Sequence, residues 1–227
     1  MLWRAEYFGA IEGASLEANK GAYSYAWMII FAVIAAIMVL IGLYHIRMLP
    51  SNQIPSTTKK TTSEVGRELV AVIANFFTKK HIFYYICFII LYRLAEGFIM
   101  KIAPLFLRAS REVGGLGLSL KEIGTLNGVF GSAAFVLGSL LAGIYVSKFG
   151  LKRTLFTLCC IFNLPFVAYT FLAVTQPTNV YLIGTCITME YFGYGFGFVG
   201  LTLFMMQQIA PGKHQMSHYA FASGIMN

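Results

Sequence analysis

Long runs without charge, parted by short polar stretches, dominate the chain. The first extends from Ala22 to Tyr44 and closes on His45, Arg47 and Pro50. Others extend from Ile82 to Leu107, from Ile123 to Ser147, from Thr154 to Thr175 and from Val180 to about Gln208. The Ile82 run is interrupted by Arg93, Glu96 and Lys101 and bends at Pro104, and the Val180 run carries Glu190. A helix needs roughly 20 apolar residues to cross the hydrocarbon core of a bilayer. Each of the five runs reaches that length, so each predicts a spanning helix. A sixth apolar stretch begins at Tyr219 and is cut at Asn227, which leads us to expect a chain truncated at both ends.

The stretch between the first two runs follows a different pattern. Ser51–Lys80 is polar overall, yet Val65, Leu69, Ile73 and Phe76 recur at helical spacing, and Thr61 with Glu64 spells a capping box. This predicts a short amphipathic helix on the membrane surface. The resulting plan has four parts. Residues 1–21 form an extracytoplasmic segment and 22–48 a first span. Residues 49–81 form a cytoplasmic linker with the amphipathic helix, and 82–227 form a larger transmembrane unit.

Composition agrees with this plan. Hydrophobic residues make up 58% of the chain and charged residues 11%, against about 45–50% and about 25% in soluble domains. Only a bilayer can act as solvent for so apolar a surface. The net charge of +8 would raise the question of nucleic acid in a soluble protein. Here the basic residues sit between spans, where topology accounts for them. With alternate loops assigned to one side, Arg47, Lys59, Lys60, Arg67, Lys79, Lys80, Lys148, Lys152, Arg153 and Lys213 fall together. Arg4, Lys20, Arg108, Arg111 and Lys121 fall on the other side. The richer side is expected to be cytoplasmic. Cys87, Cys159, Cys160 and Cys186 lie within apolar runs and are expected to be buried and reduced, with no zinc-type spacing among them. Glu6, Glu12 and Glu17 give the first residues the wrong pattern for a cleavable signal peptide.

The most informative short motif joins the third and fourth runs: Gly143-Ile-Tyr-Val-Ser-Lys-Phe-Gly-Leu-Lys-Arg153. It resembles the loop signature of the major facilitator superfamily, matching at Gly143, Lys148, Gly150, Lys152 and Arg153. Ser147 stands where that signature usually has Asp, which weakens the implied charge relay. Leu91-Tyr-Arg-Leu-Ala-Glu-Gly-Phe98, Glu122–Gly131, Leu137–Gly143 and Met189–Gly197 are similar to successive helices of the muropeptide permeases. The resemblance implies a polytopic all-α bundle of the major facilitator type, holding the sixth helix and most of the second half. It also implies proton-driven import of a small muropeptide-like solute by alternating access. The setting would be the inner (plasma) membrane, the protein a monomer with no cofactor. One departure from the family matters: Asn127 is followed by Gly128 rather than Lys. Acyl-CoA or sugar carriers of the same superfamily, or a non-transporting membrane sensor, therefore stay open as alternatives.

Polar groups inside the runs are the candidate pathway residues, because charge at bilayer depth is costly unless paired or facing a cavity. Arg93 and Glu96 lie three apart, on one helix face. They point either to an anionic solute or to a structural ion pair. Lys101 is near the outer end and is expected to snorkel. Glu190 lies near the midplane with no sequence-local partner. It is either a proton-coupling site or a neutral, hydrogen-bonded residue. Asn127, Asn163 and Gln207 could line a cavity or bond between helices. Gly195-Phe-Gly-Phe-Val-Gly200 spells a nucleotide fingerprint but lies inside a span, where close packing explains it better. Gly124/Gly128 and Gly138/Ala142 follow the same small-residue packing logic. His214 and His218 are expected on a solvated loop and helix start, with no third metal ligand. No nucleophile–base pair or phosphate loop is present, so the sequence does not read as an enzyme.

Overall fold

The computed structural model describes Glu17, residues 19–48 and residues 61–226, in two compact units, residues 1–60 and 61–227. The expected segment 1–21 lies almost wholly outside the described residues, as do linker residues 49–60. In the first unit one helix is described, α1 (Lys20–Met48). Trp27, Phe31, Ile37 and Leu40 are exposed around it, so it is apolar on every side, the mark of a helix solvated by lipid.

Every regular element among the described residues of the second unit is a helix. Helix α2 (Thr62–Phe77) opens at the predicted capping pair, where the Thr61 N–H donates to Glu64 Oε2 at 2.9 Å. Helix α3 (Ile82–Arg108) follows, with Pro104 in its last turns. Helix α4 (Leu120–Phe149) opens on a second capping box, in which the Ser119 N–H donates to Glu122 Oε2 at 2.8 Å. Helix α5 (Leu151–Thr175) is two segments meeting at Leu164, with Pro165 first in the second segment. Pro has no N–H and is preorganised for a first turn, so a new segment starts there without loss. Helix α6 (Val180–Phe204) leads into a π turn at Met205–Ile209, and α7 (Gln215–Met226) ends the described chain.

Among the described residues four helices, α1, α3, α4 and α5, are long and apolar enough to cross a membrane. Helix α6 is also 25 residues long, but five glycines and Glu190 dilute its hydropathy. Its packing explains the composition. Twelve of its residues are buried, and it runs through the middle of the unit. A Cβ on Gly195 would sit 2.2 Å from the Phe135 carbonyl oxygen of α4, and one on Gly138 would sit 2.3 Å from the Phe192 oxygen of α6. On its other side, Cβ atoms at Gly193, Gly197 and Gly200 would meet Ile161, Phe162 and Leu158 of α5 within 2.8 Å. The glycine run is thus a packing device for two neighbouring helices at once, as expected for small residues in spans.

Several expectations need correction. Nothing lies within 4 Å of a Cβ at Gly124 or Gly128, so this pair packs no neighbouring helix. Residues Leu126–Gly131 instead form a π segment within α4. Only Cys186 is buried; Cys159 is half-buried, and Cys87 and Cys160 are exposed on the apolar flanks, all four free. His218 is not solvated. It is 0% exposed, and its Nε2 lies 3.3 Å from the Val72 oxygen of α2. Phe76 of α2 meets both the His218 and the Phe221 rings, so the amphipathic helix lays its apolar face on α7.

Candidate functional site

Two side chains set the register of α3 on α6. Lys79, just before α3, donates from Nζ to the carbonyls of Ile209, of Ala210 at 3.3 Å and of Pro211 at 2.8 Å, where α6 runs out. These are helix-end carbonyls without intrahelical donors, carrying the negative end of the helix dipole. Burial pulls the Lys79 ammonium below the ordinary lysine value, and the carbonyl dipoles oppose that pull. Higher up, the Tyr92 hydroxyl donates to the Gly197 carbonyl at 2.8 Å, and the Phe88 and Phe204 rings meet at a tilt, 4.6 Å between centroids, between these two points. The paired numbers fall along α6 as they rise along α3, so the two helices are antiparallel.

That register carries the two inner carboxylates towards each other. One turn above Tyr92 is Glu96, level with Gly193. Glu190 lies three residues further, about 4.5 Å along the axis. Glu96 is 2% exposed and Glu190 5%, and the two interact electrostatically. Tyr191 and Tyr194 of α6 share the field of both, and Tyr169 of α5 that of Glu190.

The predicted Arg93–Glu96 pair forms, with Arg93 Nε 3.4 Å from Glu96 Oε2. It is an ion pair without hydrogen-bond geometry, since neither Glu96 oxygen has a hydrogen-bond partner. The Arg93 side chain is 22% exposed. It opens on a cleft of about 400 Å³ between α3 and α7, lined by Arg93, Glu96, Gly97, Lys101 and, on α7, Ile225 and Met226. Lys101 is exposed and reaches into the same cleft. Glu190 and Asn127 do not line it. Asn127 sits in the π segment of α4, its Oδ1 buried without a partner. Segments of this kind are common at functional sites because they redirect side chains. Asn163 bonds its own helix, Nδ2 to the Cys159 oxygen at 2.8 Å, and Gln207 is exposed.

The signature turn is held by its backbone. Gly150, between α4 and α5, has φ 78°, a conformation that L side chains rarely adopt. Its N–H bonds the Val146 oxygen at 2.8 Å, and the Thr154 hydroxyl bonds the Gly150 oxygen at 3.0 Å. Ser147, the residue replacing Asp, turns back onto its own helix and donates to the Ile144 oxygen at 2.8 Å. Lys148, Lys152 and Arg153 are exposed, with Lys148 5.5 Å above the Phe149 ring, and nothing within 4 Å faces Gly143. At the opposite end of the bundle, Arg111 donates to the carbonyls of Gln176 at 2.9 Å and Pro177 at 2.8 Å. Gln176 returns a bond to the Gly114 oxygen at 3.0 Å.

Sequence reasoning found Arg93, Glu96 and Glu190 but not the register that brings the two carboxylates to neighbouring levels. It also missed Lys79, Arg111 and Tyr169, Tyr191 and Tyr194. A tyrosine in an aromatic-rich span carries no local mark, and a loop lysine has no visible acceptor until the far helix end arrives. Among the described residues no group of three His, Cys, Asp or Glu is placed to hold a metal.

Comparison with known proteins bears on this arrangement. A model of the Major Facilitator Superfamily matches residues 8–227. The anhydromuropeptide permease of Escherichia coli strain K12 is 25% identical over 143 residues, 63% of this chain and 28% of that protein. The protein of the same description from Escherichia coli O157:H7 matches to the same extent. The match thus spans little more than a quarter of the relatives' length. No solved structure gives a significant match.

Proposed function

The chain belongs to the major facilitator superfamily, and from that premise we propose that it is the pathway-bearing part of a proton-coupled permease importing a small anionic solute of the muropeptide class. That it is a multi-pass membrane protein of a transporter family, and not an enzyme family, is its general character; solute, coupling and direction are our reading. The observation that carries it is Arg93. Its guanidinium is held by Glu96 within a span yet opens on a cleft, which is where a fixed cation would draw a carboxylate-bearing solute. The similarity to proteins named anhydromuropeptide permease supports the choice of class. Asn127, with its unpartnered oxygen, is assigned to the same pathway, and Glu190 to the proton. The Gly143–Arg153 turn, with Lys148, Gly150, Lys152 and Arg153, is assigned to cytoplasmic gating. The inner (plasma) membrane is the proposed location.

Uptake into proteoliposomes holding the full-length protein, with an imposed pH gradient, tests the reading. A labelled anhydromuropeptide should accumulate, while an acyl-CoA and a free sugar should not. Accumulation of either of the latter would replace the solute class, and no accumulation of any would overturn the transport reading. Arg93→Ala should lower uptake at least tenfold while folded protein remains in the membrane. If the exchanged pair Arg93→Glu with Glu96→Arg restores full uptake, Arg93 is structural and the solute contact lies elsewhere.

A further inference from the structure

We propose that Glu96 and Glu190 hold one exchangeable proton between them, with Arg93 as the fixed counter-charge and Glu96 as the access point. The proposal deepens the reading of Glu190 as the coupling residue and rests on it. Glu96 enters here in a second role, as half of the proton site and not only as the partner of Arg93.

The argument begins with register. Tyr92 bonded to Gly197, and Lys79 bonded to the end of α6, place Glu96 and Glu190 within about one helical turn of each other on facing helices. Both are at least nine-tenths buried, and neither Glu96 oxygen has a hydrogen bond. The groups around them complete the charge count. Arg93 stays cationic throughout. Tyr169 on α5 and Tyr191 and Tyr194 on α6 are neutral phenols. The α4 residues packed against this stretch of α6, Gly131, Phe135, Gly138 and Ser139, are uncharged. Lys101 is exposed in the cleft beyond.

One carboxylate balances Arg93. A second would be an uncompensated buried anion, which costs several kcal/mol in such a site. The resting site therefore carries one proton on two carboxyls and is neutral with Arg93. Adding a second proton from water leaves both carboxyls neutral and Arg93 without its counter-ion. The guanidinium is then free to take an anionic group from the cleft. Glu96 lines the cleft, and a proton entering from it reaches Glu190 by way of Glu96.

The test needs no solute. The complete protein in lipid vesicles is titrated with pH while infrared difference spectroscopy follows the C=O stretch of protonated carboxyls. Two coupled groups titrate in two macroscopic steps that belong to the pair. In Glu96→Gln the remaining carboxyl should titrate in one step, displaced by about one pH unit or more, a tenfold change in proton affinity. Glu190→Gln should displace Glu96 by the same amount, since linkage is reciprocal. Glu96→Asp should keep two steps, which covers the case in which one Gln variant does not fold. If each Gln variant removes one wild-type step and leaves the other where it was, the groups are independent and the shared site is refuted. Because the readout is proton binding, that failure is distinct from failure of uptake: a coupled pair in a protein that accumulates nothing would refute the transport reading alone.

Discussion

At the scale of single residues, cations outside the long helices bond the carbonyls at helix ends. Lys79 satisfies three carbonyls at the end of α6, and Arg111 holds Gln176 and Pro177 after α5. Neither bond is visible in the sequence, because donor and acceptor are remote in the chain and every carbonyl looks alike. Hydrogen bonds to a charged donor contribute about 1.5–3 kcal/mol each, less where water competes. Lys79 is partly exposed, so we expect Lys79→Met to cost about 1–3 kcal/mol in all. Thermal unfolding of the purified protein in detergent measures this, and Lys79→Arg should recover most of the loss. A Lys79→Met protein as stable as wild type would mean that water replaces the ammonium without loss. The Arg93–Glu96 pair, by contrast, was legible, since spacing of three along one helix brings the side chains together in any fold.

At the scale of the helices, periodicity and capping predicted most boundaries closely. The amphipathic helix begins at its Thr61–Glu64 pair as written. What the pattern missed were interruptions within helices: the π segment Leu126–Gly131 and the joint at Leu164–Pro165. An extra residue in a turn does not disturb an apolar run, so hydropathy is blind to it. Glycines divide in the same manner. Gly195 meets the α4 backbone, whereas Gly128 faces open space. Gly195→Ala must force the two helices apart, and overpacking of this kind costs about 1–3 kcal/mol. Gly128→Ala adds a better helix former at no steric cost, so it should be neutral or stabilise by up to about 1 kcal/mol. Paired melting curves check the contrast. Equal effects at the two sites would show that the α4–α6 contact relaxes freely.

At the scale of the whole molecule, α3 and α5 run antiparallel to α6. The α5 contacts show it through Leu158 with Gly200 and Ile161 with Gly193. Helix α4 runs parallel to α6, with Leu126 at Gly184, Gly131 at Tyr191 and Gly138 beyond. This alternation is what successive crossings of one membrane require. Which end faces the cytoplasm follows from charge alone, through the bias of Lys and Arg to the inner side. We therefore expect a cysteine at Thr178, in a background lacking the native cysteines, to react with an impermeant thiol reagent in intact cells. One at Thr58 should react only after lysis. Labelling in the reverse order would invert the topology and move the Gly143–Arg153 turn to the outside.

The sequence by itself determined the class of molecule, the number and approximate ends of its long helices, and the residues too polar to be idle at bilayer depth. It could do so because those properties are local: an apolar length, a helical period, a charge where charge is costly. The resemblance at Gly143–Arg153, borne out by the match over residues 8–227, added the family. Tertiary structure alone decided that α6 is the central helix, that its glycines serve two neighbours, that His218 lies buried on α2, and that α3 and α6 meet in the register that brings Glu96 and Glu190 to neighbouring levels. Each of these is a contact between residues on different helices, beyond the reach of local pattern. In a lipid-solvated bundle every apolar helix offers several equally apolar faces, so hydropathy cannot choose among partners. The choice falls to backbone approach at glycines and to a few directed bonds, Tyr92 to Gly197 and Lys79 to the end of α6, which exist only once the helices are side by side.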